Sequence, residues 1–461
     1  MNQLPSDDPL RSALFTDLYE LTMAQAYDAE QMNAVAVFEL FFRKIPHARN
    51  FVMAAGLDDV LSFLEAFHFT NDDLAYLSKL GLFSTAFLDR LGQLRFTGDV
   101  FALPEGTLVF PHEPLVQVVA PMIEAQLVET LILNQIHFQS VAATKAARVV
   151  TAAAGRQVVD FGSRRAHGSD AAMKVARTSY LAGAVGTSNV LAGKLYGIPV
   201  FGTMAHSYVQ AHDDESQAFE AFARQFAATT LLVDTYDTLD AVRKIIELAG
   251  RLGDKFTVRA IRLDSGDLAD LAFQTRRLLD NAGLERITIF ASSGLDEHSV
   301  QELVECGAPI DAFGVGTKLA VSSDAPSLDM AYKLVEYAGE ARSKLSSEKV
   351  LLPGRKQVFR TIQDGCMIQD VISCWDEQLD GQPLLRPVMK QGHRIAGENL
   401  TLFESRDNAR QQLTQLPPHL RSIDPAQTPY KVVISDALQQ KMNAVRQKLT
   451  AAQHQSTLLV H

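Results

Sequence analysis

The sequence predicts an α/β protein: an irregular α/β barrel joined to a second, discontinuous β-rich α+β domain built from N- and C-terminal segments. Three observations predict it. Between residues 156 and 325, short β-branched runs precede Gly-rich or polar turns and then helical stretches. Their spacing of roughly 25–40 residues is what βα units require. Before that region, residues 96–119 interleave short β-like runs with Gly98, Pro104, Gly106, Pro111 and Pro114, the turn density of a small antiparallel sheet. After about Leu328 the βα rhythm stops and hairpin-like runs return.

In order along the chain, apolar and aromatic residues recur at helical spacing over 16–27, and 34–43 is rich in Val and Phe and reads as a strand. Residues 121–154 read as one long helix or two, ending at Gly155. The expected barrel strands are 157–160, 198–201, 229–233, 258–263, 288–291 and 312–315, each the short continuous apolar run of a strand buried on both faces. Beyond them, 333–337 and 357–362 read as strands, 384–395 as a hairpin, and 436–452 as a terminal helix with a frayed tail. The expected division is 1–155 as an N-terminal α+β domain with a connecting helix, 156–325 as the barrel, and 326–461 as a segment completing the first domain. A chain of 461 residues exceeds what one hydrophobic core usually serves.

Hydrophobic residues make up 47% and charged residues 21%, which excludes disorder as the default. With 43 Lys and Arg against 54 Asp and Glu, the net charge of −11 argues against general nucleic-acid binding, while local basic pockets still admit anionic substrates. Cys306, Cys366 and Cys374 form neither a disulfide framework nor a paired metal spacing, so a reducing cytoplasm is expected. Residues 1–14 carry no basic-then-apolar leader, and no run approaches the roughly 18 apolar residues of a membrane span.

Four segments carry chemistry. Asp311-Ala-Phe-Gly-Val-Gly-Thr317 runs a strand into Gly-x-Gly-Thr: Gly314 and Gly316 permit close backbone approach to a phosphate and Thr317 adds a hydroxyl, although a plain glycine turn reads equally well. Arg262-Leu-Asp264-Ser-Gly-Asp267 places charge at a strand's C-terminal end, the catalytic face of a barrel; Asp267 is either functional or a helix cap. Asp160-Phe-Gly-Ser-Arg-Arg165 offers forked donors for phosphate or carboxylate beside an aromatic ring. Gly202-Thr-Met-Ala-His206-Ser207 sets a histidine beyond a strand end, suited to a base, a phosphate contact or a phosphoryl acceptor.

Taken in order, and with Thr16-Asp17-Leu-Tyr19-Glu-Leu-Thr22-Met, Phe41-Phe-Arg43-Lys-Ile-Pro46, Gly186-Thr-Ser188-Asn189 and Leu232-Val-Asp234-Thr-Tyr236-Asp237, these segments resemble the nicotinate phosphoribosyltransferase family. The resemblance implies coupling of nicotinate to 5-phosphoribosyl-1-pyrophosphate, giving nicotinate mononucleotide and pyrophosphate in NAD salvage, with ATP as co-substrate and Mg2+ bound through substrate phosphates. It also implies a homodimer with shared active sites. By the same resemblance His206 takes the γ-phosphate of ATP, and Arg262 and Asp264 hold ribose, pyrophosphate and catalytic geometry. Phe161 is one wall of the pyridine slot, and Tyr19 of the partner subunit is the other. Arg164 contacts phosphate or the pyridine substituent. Gly202, Asp234, Gly314, Gly316 and Thr317 complete the substrate site, with Asp234 near magnesium or pyrophosphate and Gly316 and Thr317 cradling the 5-phosphate. Ser293, with Gly294, stands at the ribose corner, where many members carry Asn or Asp.

Ser188 bears on which pyridine is used. Nicotinamide enzymes place an aspartate at the matching position, which would repel the carboxylate of nicotinate; serine can donate a hydrogen bond instead. The rival readings are a nicotinamide phosphoribosyltransferase, an aldolase or isomerase for which Lys318 is the nearest Schiff-base candidate, and a non-catalytic nucleotide-binding barrel.

Overall fold

The computed structural model describes residues 12–345 and 351–458, so most of the polar stretch read at residues 1–14 lies outside the described residues. The chain forms two compact units, one of residues 142–326 and one that joins the segments before and after it.

The central unit is built on a six-stranded sheet in the order Gly186–Thr187, Gln157–Asp160, Ala312–Val315, Thr288–Ala291, Ala260–Leu263, Thr230–Leu232. Every pairing is parallel. The Gly186 and Thr230 strands are the two edges, so the sheet is a curled half-barrel. Val158, Val159, Ile261, Leu263, Ile289, Phe313 and Val315 are all buried, which is why these runs are continuously apolar. Helices Thr238–Leu252, Leu268–Asn281 and Glu297–Glu305 return the chain between strands. Each starts on an aspartate whose side chain accepts a backbone N–H three residues on: Asp237 from Asp240, Asp267 from Asp270, Asp296 from Ser299. Asp267 is therefore a helix cap.

The expected strand at 198–201 is replaced by the Gly186 strand; the later segment contributes only a single bridge, Val200 to Thr187. Pro199 has no N–H to donate and offers only its carbonyl, which accepts from Thr187 N at 3.1 Å. Val200 and Phe201 stay 49% and 37% exposed, so they lack the two-sided burial that the apolar run suggested.

In the other unit, N- and C-terminal strands interleave. Its seven-stranded sheet runs Glu340–Ala341, Met330–Tyr337, Val35–Phe42, Val116–Pro121, Asp99–Ala102, Arg386–Lys390, His393–Arg394, and the pairings are antiparallel. A four-stranded sheet adds Gln382–Pro383, Lys356–Gln363, Cys366–Cys374 and Val432–Ile434. The 121–154 stretch is two helices, Met122–Leu127 and Glu129–Ala152. The terminal helix runs over Asp436–Leu458, so the expected frayed tail after 452 continues as helix. Cys306, Cys366 and Cys374 are all free thiols. Among the described residues, no helix is long and apolar enough to cross a membrane.

This unit buries whole ion pairs. Arg360 and Asp370 are both fully buried, with Arg360 Nη2 donating to Asp370 Oδ2 at 2.6 Å. Arg360 also donates to Gln412 Oε1 at 2.7 Å and to the Leu108 carbonyl at 2.8 Å, while Tyr430 Oη donates to Asp370 Oδ1 at 2.9 Å. Burial, then the nearby Asp370, pushes the Glu113 carboxyl well above its usual range. R360A strips the partner from a buried carboxylate, and such losses cost about 3–5 kcal/mol. Urea unfolding is expected to show that loss, whereas R410A, in an exposed pair with Asp407, leaves the curve unchanged.

Candidate active site

In a parallel sheet all strands end at one edge. Register places Val315 beside Asp160, Ala291 beside Leu263, and Arg262 beside Leu232. The residues that follow, Phe161, Asp234, Asp264, Ser292 and Gly316, therefore emerge along one rim, with Ser188 following the edge strand.

Arg262 links these loops. Its Nε donates to Ser292 Oγ at 2.8 Å, Nη1 to Thr203 Oγ1 at 3.0 Å, and Nη2 to Asp264 Oδ1 at 2.8 Å. Ser292 Oγ in turn donates to Asp264 Oδ1 at 2.5 Å. The guanidinium carbon lies 5.3 Å from the Phe161 ring centre, within cation–π range. The other carboxylate oxygen, Asp264 Oδ2, faces His206 Nε2 at 4.0 Å. His206 opens the short helix His206–Gln210, and its Nδ1 lies 3.2 Å from Thr235 Oγ1. The imidazole is thus oriented between two loops, with its side chain 40% exposed. Ser265 Oγ donates to Asp234 Oδ2 at 2.5 Å, while Asp234 Oδ1 is buried with no hydrogen-bond partner.

A second set of bonds joins the loops after the Gln157 and Gly186 strands. Asp160 is fully buried; its Oδ1 accepts from Gly162 N at 2.7 Å and its Oδ2 from Thr187 Oγ1 at 2.7 Å. Its carbonyl accepts from Ser188 N, and Phe161 N donates to the Val315 carbonyl, both at 2.8 Å. Burial raises the Asp160 carboxyl pKa, against the hydrogen bonds from Thr187 and Gly162. Asp160 thereby fixes the approach of both Phe161 and Ser188. Arg164 sits in the single turn Ser163–Arg165 with its side chain exposed.

The glycines separate by role. A Cβ on Gly316 would lie 3.2 Å from the Phe161 carbonyl, so that turn packs closely, and Thr317 beside it is exposed. Gly202 is exposed, and a Cβ there would meet nothing within 4 Å. Gly314 is buried inside its strand, against the rings of Phe161 and Phe290. Ser293 is exposed with φ of 104°, a left-handed conformation that is costly for a residue with a side chain. Lys318 Nζ pairs with Asp296 Oδ2 at 2.6 Å, so its side chain is tied to the cap of the neighbouring helix. Burial works against ionisation of Asp296, yet Lys318 and Ser299 hold its carboxyl down at about 2. Tyr19 belongs to the other unit, on helix Leu18–Ala29, and is 46% exposed; burial and then Glu129 push its phenol pKa up.

Sequence reasoning passed over Asp160, Thr203, Thr235 and Ser292 as actors. Asp160, Thr203 and Thr235 lie inside the segments quoted above and Ser292 adjoins Ser293; for the three hydroxyls, a strand-end arginine or histidine nearby was the available signal. D160A leaves two buried donors unpaired, at about 1–3 kcal/mol each. D160N keeps an acceptor for Gly162 and lets Thr187 accept. Thermal unfolding is expected to rank wild type, D160N and D160A in falling order of midpoint.

The chain matches the nicotinate phosphoribosyltransferase N-terminal domain over residues 14–137, the nicotinate phosphoribosyltransferase family over 156–344 and the nicotinate phosphoribosyltransferase C-terminal domain over 377–442. It is 61% identical over 448 residues to nicotinate phosphoribosyltransferase pncB2 of Mycobacterium tuberculosis, covering 97% of each chain. It is 42% identical over 411 residues to nicotinate phosphoribosyltransferase of Bacillus subtilis, covering 87% of this chain and 83% of that one. The crystal structure of human nicotinic acid phosphoribosyltransferase superposes with a TM-score of 0.83 at 31% identity, covering 93% of this chain and 99% of that one. On all three counts the chain belongs to the nicotinate phosphoribosyltransferase family.

Proposed function

We propose that the chain transfers the phosphoribosyl group of 5-phosphoribosyl-1-pyrophosphate to nicotinate, releasing pyrophosphate and forming nicotinate mononucleotide. The observation that carries this reading is the Arg262 assembly: a locked guanidinium, a carboxylate and an oriented histidine share one rim with Phe161 and Ser188.

The pyridine ring stacks on Phe161, with Tyr19 of the partner subunit as the opposing wall of a homodimeric site. Ser188 donates to the nicotinate carboxylate, and the exposed Arg164 supplies positive charge near it or near the nucleotide phosphate. The 5-phosphate rests against the Gly316–Thr317 turn, and the ribose lies by Ser293 and Gly202. As the C1–oxygen bond to pyrophosphate breaks, positive charge builds at C1. The nicotinate nitrogen, already a nucleophile, closes on it from the opposite side. Positioning and charge stabilisation do most of the work, because no proton need be removed.

Mg2+ bound through the substrate's phosphates would offset their negative charge. Among the described residues no group of three or more His, Cys, Asp or Glu is placed to hold a metal. Asp234 fits as a protein contact to it, because its buried Oδ1 has no partner within the chain. His206 accepts the γ-phosphoryl of ATP: an N–P bond forms as the bond to the bridging oxygen breaks and ADP leaves. The added charge beside Asp264 and Thr235 shifts the balance between substrate-holding and product-releasing states.

Incubation with nicotinate, phosphoribosyl pyrophosphate and magnesium is expected to give nicotinate mononucleotide, faster when ATP is added, and nicotinamide is expected to compete poorly. Binding without product would leave a nucleotide-binding barrel, and preference for nicotinamide would remove the role given to Ser188. H206N is expected to lose both the acid-labile phosphoenzyme and the stimulation by ATP. Undiminished labelling of H206N would place the phosphoryl acceptor elsewhere.

A further inference from the structure

Gly314 lies in the strand Ala312–Val315, between the Gln157 and Thr288 strands. Each neighbour sends an aromatic ring over it. A Cβ built on Gly314 would come within 2.7 and 2.8 Å of Phe161 Cδ2 and Cε2, and within 2.8 Å of Phe290 Cε1. Those separations are too short for carbon atoms, so the rings occupy the space that any side chain at 314 would need. The two rings meet with centroids 5.5 Å apart and planes tilted by 33°. Phe161 is further fixed by its N–H bond to the Val315 carbonyl at 2.8 Å and by the guanidinium of Arg262 at 5.3 Å. Both phenylalanines remain partly exposed, whereas Gly314 is buried. The rings are therefore the surface that a ligand meets, and the glycine is the seat beneath them.

The geometry points to Gly314 as a positioning residue for the aromatic substrate rather than for phosphate, with Phe290 as the backing that fixes the height of Phe161 above the sheet. The inference rests on Phe161 being the pyridine wall. The missing side chain lets Phe161 sink onto the strand, which sets the depth of the slot into which a flat ring slides. Phe290 closes the side of that slot toward the Thr288 strand. The glycine that does face the phosphate turn is Gly316, which packs against backbone and not against a ring.

Two readouts test this. In a crystal structure of G314A, the Phe161 and Phe290 rings are expected to be displaced by several tenths of an ångström or more. In kinetics, G314A is expected to raise the KM for nicotinate on the order of tenfold, while the KM for phosphoribosyl pyrophosphate stays within about twofold. F290L, which removes backing without crowding, is expected to raise the nicotinate KM about threefold. F290L carries the kinetic test if G314A proves insoluble. Rings unmoved in G314A, a phosphoribosyl pyrophosphate KM that rises as much as the nicotinate KM, or a nicotinate KM indifferent to F290L would each overturn the assignment. Ring displacement is read without turnover, so it stands apart from the proposed reaction, which wild-type product formation tests.

Discussion

The site depends on one charged group that cannot move. Arg262 spends its donors on Ser292, Thr203 and Asp264, which belong to three separate loops, and it lies against the ring of Phe161. A guanidinium offers donors in a fixed fork, so satisfying three acceptors at once fixes their relative positions as well as its own. Asp264 then presents its second oxygen toward His206, and Thr235 holds the far side of that ring. Removing any one of these hydroxyls would loosen groups it never touches. This kind of preorganisation matters for a reaction whose catalysis is chiefly placement and electrostatics.

The parallel sheet makes the arrangement possible. Strand ends of a βα unit point one way, so short loops deliver side chains from six strands to a single rim. Asp160 performs toward one edge of the sheet what Arg262 performs toward the other: its two carboxylate oxygens and its carbonyl bind the loops that carry Phe161 and Ser188. Buried charge recurs in the same unit, where Arg148 Nε donates to Glu297 Oε1 at 3.0 Å and Lys145 reaches Asp324 at 2.8 Å. Such pairs add specificity of packing more than net stability.

Much of this was legible in the sequence, for identifiable reasons. Strands at 157–160, 288–291 and 312–315 were readable because burial on both faces forces continuous apolar runs. The 198–201 run misled because Val200 and Phe201 are apolar without being buried, and the two-residue Gly186 strand that replaces it is too short to show a pattern. The nine-residue strand Cys366–Cys374 escaped notice because Gln369 and Asp370 interrupt its apolar run, and Asp370 is tolerated there through Arg360 and Tyr430. At the site, charged residues at strand ends announced themselves. Gly314 did not: a Gly-x-Gly-Thr string reads as a phosphate loop, and only the positions of Phe161 and Phe290 show that two rings fill the space above the first glycine. Asp160, Thr203, Thr235 and Ser292 were hidden because their importance lies in bonds between loops distant in sequence.

A crystal structure with nicotinate mononucleotide bound would test the account most directly. The account places the pyridine against Phe161 with its carboxylate at Ser188, the ribose beside Asp264, and the phosphate at the Gly316–Thr317 turn. A nucleotide bound with its phosphate at Ser188 and its pyridine away from Phe161, or bound off this rim altogether, would contradict it.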